Sequence, residues 1–133
     1  MELAAFRTKS RVAILTVALM GVFLLESAAV EAHTFTAPSR VSIQFDDGKF
    51  KGRVRSPRSQ CIENRRVKVF KVRVNRPDRR IGRDRTNSQG RYSIPKPRGI
   101  KGRFYAQVTR RTRGDYPHKH RCRAASSRLI QAP

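Results

Sequence analysis

The sequence lacks tryptophan, and it has only two cysteines and nine acidic residues among 133 positions. It also lacks the Gly-x-Ser-x-Gly elbow of hydrolases, the His-Glu-x-x-His metal motif and the glycine-rich phosphate loop. Of the six carboxylates after position 32, most lie beside glycine, proline or arginine, where turns and ion pairs explain them, and no pair stands out for acid–base catalysis. We therefore expect a protein that is not an enzyme and that uses no cofactor.

No apolar run is long enough to span a bilayer, which takes roughly 20 residues. The longest, Val12–Leu25, has 14 residues, follows three basic side chains within positions 7–11, and precedes small residues. This is the three-part pattern of a secretory signal peptide. We predict a signal peptide over 1–32, cleaved after Ala32 or alternatively after Ala29. The protein would be secreted or associated with the cell envelope, with no membrane span after cleavage.

Both cysteines, Cys61 and Cys122, follow the predicted cleavage site. An even number of cysteines in a small exported domain favours a disulfide. Closing the loop between them would stabilise the fold by about 4 kcal/mol in the chain-entropy model. A zinc site completed by His118 and His120 is disfavoured, because the Cys-x-x-Cys spacing is absent.

Apolar and polar residues alternate along most of the remaining chain, which is the period of a β-strand. The pattern, with turn signals between its segments, predicts strands at 41–45, 50–56, 66–74, 80–86, 91–94, 103–109 and 123–130. We predict an all-β, antiparallel β-sandwich of about seven strands over 41–133, after a flexible segment at 33–40.

Two segments resist the simple alternation. The strand at 66–74 carries Val67 and Val69 in one phase and Phe70 in the other, so we expect a β-bulge near Val69–Phe70. Residues 110–121 are rich in cations and are predicted to form a basic loop.

The stretch "RTNSQGRYSI", residues 85–94, has the composition of a turn between two strands. The side chains of Thr86 and Asn87 can hydrogen-bond to the backbone, Gly90 tolerates a positive φ, and Tyr92 begins the next strand. The spacing resembles the Thr-Asp-x-x-Gly-x-aromatic turn of carboxypeptidase regulatory-like and transthyretin-like β-sandwich domains.

Two further stretches, "RRVKVF" and "GRFYAQV", are also similar to those domains. More narrowly, the chain resembles small exported single-domain proteins of high-GC bacteria. The resemblance implies a prealbumin- or immunoglobulin-like sandwich that acts as an accessory, stalk or binding module. The Tyr-Arg-Gly-Ser ending of transthyretin-like hydrolases is absent, so the resemblance does not extend to their activity.

The net charge is +22, and it stays +22 after the predicted cleavage, with 21 arginines and seven lysines remaining. Arginine binds phosphate, sulfate and carboxylate groups with two parallel hydrogen bonds. We therefore expect extracellular or cell-wall polyanions as partners, with steep salt dependence. The candidate polyanion-binding residues are Lys51, Arg53, Arg55, Lys71, Arg73, Arg110, Arg111 and Arg113. Alternatively, the arginine excess is compositional and merely keeps the protein soluble.

Base-specific nucleic-acid recognition is not expected, because the sequence has no tryptophan and only three scattered tyrosines. The oligomeric state is left open.

An alternative function is suggested by the histidines. Cleavage before His33 would place an amine and an imidazole at the N-terminus, and with His118 and His120 they could bind copper. The simpler interpretation is that all three histidines are solvated.

Overall fold

The computed structural model describes residues 33–133, and the predicted signal peptide lies outside them. The described residues form a 3-10 turn at Ser59–Cys61 and twelve strands: β1 (His33–Ala37), β2 (Arg40–Val41), β3 (Gln44–Asp46), β4 (Lys49–Arg55), β5 (Arg66–Lys71), β6 (Arg79–Arg85), β7 (Arg91–Pro95), β8 (Gly102–Val108), β9 (Arg111–Arg113), β10 (His118–Cys122), β11 (Ala125–Ser126) and β12 (Ile130–Ala132). The all-β prediction is confirmed. The strands outnumber the seven predicted because several have only two or three residues. Within 33–133, no helix has the length and apolar character to cross a membrane.

The strands form two main sheets and one smaller sheet. In the first main sheet, β4 pairs with β2, β3 and β7. In the second, β8 pairs with β11, β12 and β5, and β5 pairs with β6. The small sheet has the order β1-β10-β9. All these pairings are antiparallel except β1 with β10, which is parallel.

The hydrophobic core lies between the two main sheets. The rings of Phe50 on β4 and Phe104 on β8 meet with their centroids 4.7 Å apart. Phe104, Ala106 and Val108 alternate along β8 on the face toward the core, and all three are fully buried. Burying one face of each sheet against the other supplies the main stabilising term of such a fold. This packing is the predicted sandwich.

The irregularity predicted at Val69–Phe70 is present, but the extra residue belongs to the partner strand. The register moves from Val69 opposite Gly82 to Phe70 opposite Arg80, so Ile81 on β6 is the inserted residue. Strand β5 lies between β6 and β8, so a bulge in β5 would disturb two ladders, whereas β6 has only one. Phe70 therefore stays on the face opposite Val69, where its ring stacks on that of Tyr105 at 5.4 Å.

The two ends of the domain differ from expectation. Strand β1 occupies most of the segment predicted to be flexible, and β9 and β10 occupy most of the predicted basic loop. In place of one strand at 123–130, the short strands β11 and β12 both pair with β8. Local patterning missed β1 and β10 because they are stabilised by each other and by the disulfide below rather than by an alternating apolar face.

The predicted disulfide between Cys61 and Cys122 is confirmed, with Cα atoms 5.3 Å apart. Both cysteines are fully buried and pack with Ala37 in a small cluster separate from the main core. The bond joins the 3-10 turn before β5 to the last residue of β10. It therefore fastens the small sheet to the sandwich.

Candidate anion-binding site

The side chains of the predicted turn motif bind the backbone around them. The Thr86 hydroxyl accepts a hydrogen bond from the Arg65 N–H at 2.8 Å and donates to the Ile62 carbonyl at 2.6 Å. Asn87 Oδ1 accepts from the backbone N–H groups of Gln89 and Arg91 at 3.0 and 2.9 Å. These bonds close the turn from β6 to β7.

Gly90 and Tyr92 attach this turn to β4. Gly90 has φ of 78°, its carbonyl accepts from the Val54 N–H at 2.8 Å, and a Cβ there would collide with the Val54 carbonyl. The Tyr92 hydroxyl donates to the Ser42 carbonyl at 2.6 Å, and burial raises the pKa of this phenol. The motif therefore has a structural role, which is to join two strands to a third.

A groove of about 680 Å³ lies beside this turn and includes two of the predicted polyanion-binding residues, Lys51 and Arg53. Both are already engaged. Lys51 forms an ion pair with Asp46 at 2.7 Å, which holds the pKa of that carboxyl below its usual range. The Arg53 Nε–H donates to the Gln89 carbonyl at 2.7 Å. Asp46 therefore offsets the charge of Lys51, whereas Arg53 keeps its charge and most of its N–H donors.

The other predicted cations fall on separate parts of the surface. Arg55 lies opposite Arg40 in the β2–β4 pair, and Arg73 donates through Nε to the Pro77 carbonyl at 2.8 Å. Lys71 lies beside Gly102, and Arg113 lies opposite His120 in the β9–β10 pair. From the predicted set, only Arg110 and Arg111 share a cavity that is predominantly basic.

That cavity adjoins a second one, and together they are lined by five arginines. One cavity, of about 390 Å³, is lined by Arg66, Arg83, Asp84 and Arg85. The other, of about 340 Å³, is lined by Asn64, Arg66, Arg85, Thr109, Arg110 and Arg111. They share Arg66 and Arg85. We call the two together the arginine cleft.

The cleft arises from register and alternation. Arg66 and Arg85 are direct cross-strand partners on β5 and β6, and Arg83 lies two residues from Arg85, on the same face of β6. Arg110 and Arg111 reach the cleft because the Thr109 N–H donates to the Arg66 carbonyl at 3.1 Å. The alternation along β6 predicts from the sequence that Arg83 and Arg85 lie on the same, exposed face. The pairing of Arg85 with Arg66 depends on the strand register, which the sequence does not show.

Two guanidinium groups of the cleft are held by one residue. Asn64 Oδ1 accepts from Arg85 Nη1 at 3.0 Å, and the Asn64 carbonyl accepts from Arg111 Nη1. Each bond uses one of the five N–H donors of a guanidinium. Asn64 thereby fixes the positions of both groups and leaves most of their donors uncommitted by these bonds.

The cleft keeps a net positive charge, because five arginines line it against one carboxylate. Its carboxylate, Asp84, accepts backbone N–H groups from Ser93 at 2.8 Å and from Arg85 at 2.7 Å. The single ion pair found within 33–133 joins Lys51 to Asp46, away from the cleft. Closely spaced, unneutralised guanidinium groups are suited to binding anions and not to acid–base chemistry.

A sixth arginine, Arg65, lies directly beneath and is fully buried. One guanidinium nitrogen donates to the Ser39 hydroxyl at 3.0 Å and the Cys61 carbonyl at 2.6 Å. The other donates to the carbonyls of Thr109 at 2.9 Å and Arg123 at 3.0 Å. Burial, together with the nearby charge of Arg111, lowers the pKa of Arg65 from its usual value. Nothing in the local sequence distinguishes this structural arginine from its exposed neighbours.

The three histidines lie on two paired strands, and two of them are cross-strand partners. In the parallel β1–β10 pair, His33 lies opposite His118 with ring centroids 6.5 Å apart, whereas His120 stacks on Phe35 at 5.7 Å. No group of three histidine, cysteine or acidic side chains with metal-binding geometry occurs in the described part of the chain. The arrangement brings together two of the three predicted ligands.

Comparison with known proteins found no matching protein-family model, no similar curated protein and no matching solved structure. The resemblance to carboxypeptidase regulatory-like and transthyretin-like domains therefore stays a prediction from the residues.

Proposed function

We propose that this protein is an exported, non-catalytic binding module that is held by its cationic surface to extracellular or cell-wall polyanions. The observation that carries the proposal is the arginine cleft, where five arginines face a single aspartate whose oxygens already accept backbone hydrogen bonds. The buried disulfide supports export, because such bonds persist in oxidising compartments.

The test is retention of the purified, oxidised protein on immobilised polyanions over a series of salt concentrations. We expect the logarithm of the binding constant to fall linearly with the logarithm of salt concentration, because each neutralised anionic group releases counterions. Phosphate, sulfate and carboxylate polymers of equal charge density should be retained to different extents.

The variant R110Q/R111Q should reduce both the affinity and the salt slope by more than R98Q/R128Q, which removes two exposed arginines outside the cleft. Equal losses in the two variants, together with equal retention on all three polymers, would reduce the interaction to general electrostatic attraction. Absence of retention at physiological salt would exclude the proposed function.

A further inference from the structure

The buried guanidinium of Arg65 has no carboxylate partner within the described residues. Its four hydrogen-bond acceptors are one hydroxyl and three backbone carbonyls, all neutral, and its Nε has no hydrogen-bond partner. Burying a charge is costly unless an opposite charge compensates it. The fold therefore keeps a positive charge inside without supplying its counter-charge.

Arg65 lies against the wall of the arginine cleft. It is flanked in the chain by two lining residues, Asn64 and Arg66, and it donates to the carbonyl of a third, Thr109. Arg65 itself lines neither cavity, so an anion in the cleft would act on its charge through space and would contact only the lining arginines. Electrostatic attraction is stronger across protein than across water, so a buried charge contributes to the potential in the cleft.

The shape of the cleft indicates a ligand with more than one anionic group. Its two cavities share the cross-strand pair Arg66 and Arg85, so two neighbouring groups could be bound on either side of that pair. The remaining guanidinium groups are those of Arg83 on β6, Arg111 on β9 and Arg110 just before β9, so the donors come from separate segments of the chain. A phosphate offers three acceptor oxygens in different directions, whereas a carboxylate offers two in one plane.

We propose that the arginine cleft binds a chain of at least two linked phosphate groups, and that this ligand supplies the counter-charge of Arg65 and so stabilises the fold. The inference rests on the proposed function and names the class of anion and its place. It predicts that ligand binding and folding stability are coupled through this one site.

The test measures thermal unfolding of the oxidised protein with increasing tripolyphosphate, at constant ionic strength set with chloride. Citrate, which carries three carboxylates and fewer negative charges per molecule than tripolyphosphate, is the carboxylate comparison and is added at equal total charge. We expect a saturable rise in the unfolding temperature with tripolyphosphate, one molecule bound per chain by calorimetry, and a clearly smaller rise with citrate.

The variant R66Q/R85Q removes the pair shared by both cavities and should weaken tripolyphosphate binding by about a hundredfold or more, since two charge-assisted donors are lost. The control R79Q/R80Q removes the same charge from the other end of β6 and should bind as the unchanged protein does. If R66Q/R85Q does not fold, R66K/R85K keeps both charges but loses the planar fork, and should bind about tenfold more weakly.

Equal stabilisation by citrate, or equal weakening in R66Q/R85Q and R79Q/R80Q, would overturn the inference. Salt-dependent retention on long polyanions without saturable tripolyphosphate binding would also overturn it and leave the proposed function standing. Saturable tripolyphosphate binding lost only in R66Q/R85Q would support it, even if retention on long polymers failed.

Discussion

Replacing Arg65 with methionine would measure the balance between the two effects of a buried cation on stability. The guanidinium crosslinks segments distant in the chain, because its acceptors are Ser39, Cys61, Thr109 and Arg123. It also imposes a desolvation cost, since no carboxylate within 33–133 pairs with it. Methionine fills part of the space, has no donor and carries no charge, so the balance of the two effects decides the sign of the change in stability.

We expect the lost hydrogen bonds to decide the sign of the stability change in R65M. An acceptor left unsatisfied in the interior costs about 1–3 kcal/mol, and losing a hydrogen bond to an acceptor that water can reach costs about 0.5–1.5 kcal/mol. The bond to the Cys61 carbonyl is buried and the other three are part-buried, so the four together contribute at least about 2.5 kcal/mol. Small domains have total stabilities of about 5–15 kcal/mol. We therefore expect R65M to lose a large part of the free energy of unfolding. R65K retains the charge but has only three donors, and should lose about 2 kcal/mol.

The assay is equilibrium unfolding in guanidinium chloride with the disulfide intact. R103M, in which an exposed arginine on β8 receives the same substitution, serves as the control and should change stability by less than about 0.5 kcal/mol. An R65M protein as stable as the unchanged one would refute the reasoning, because the desolvation cost of the cation would then equal or exceed the value of its hydrogen bonds.

Three further perturbations test other parts of the fold. The double variant C61A/C122A should lose about 4 kcal/mol in chemical unfolding, given the 61-residue separation, and a loss below about 1 kcal/mol would contradict this. G90A should lose about 2 kcal/mol, because a side chain there meets a positive φ and a carbonyl; G99A, at a positive φ in open space, should lose less. Y92F should lose about 1 kcal/mol at neutral pH. Because burial raises the pKa of Tyr92 in the folded state, its phenol contributes fully to the free energy of unfolding below the unfolded pKa of about 10. This contribution to stability declines as pH rises through the folded pKa. Unfolding at pH 7 and 11 should therefore show a smaller alkaline loss in Y92F, and an equal loss would show that other groups cause it.

The sequence pattern predicted the features that depend on residues close together in the chain. The turn motif behaves as predicted because Asn87 and Gly90 act within a few residues of their own positions. The inward phase of β8 follows in the same way from simple alternation. The small sheet was missed because β1 and β10 are about 80 residues apart and neither carries a continuous apolar face.

The displaced bulge has a related origin. The sequence conflict lies in β5, where Val69 and Phe70 are adjacent, but the structure resolves it in β6 and leaves Phe70 stacked on Tyr105 outside the core. Which of two paired strands carries an inserted residue depends on how many neighbouring strands each of them pairs with. That is a property of the sheet and not of either strand alone.

The cleft illustrates why net charge is a poor guide to binding in this protein. Asn64 adopts φ of 54°, a conformation that asparagine tolerates, and the chain then sends Arg65 into the interior and Arg66 to the surface. Elsewhere, the charge of Lys51 is paired with that of Asp46. Equal formal charges therefore contribute unequally to a bound anion. Affinity should follow the few guanidinium groups that are closely spaced and unneutralised, so variants of identical net charge should differ widely in binding.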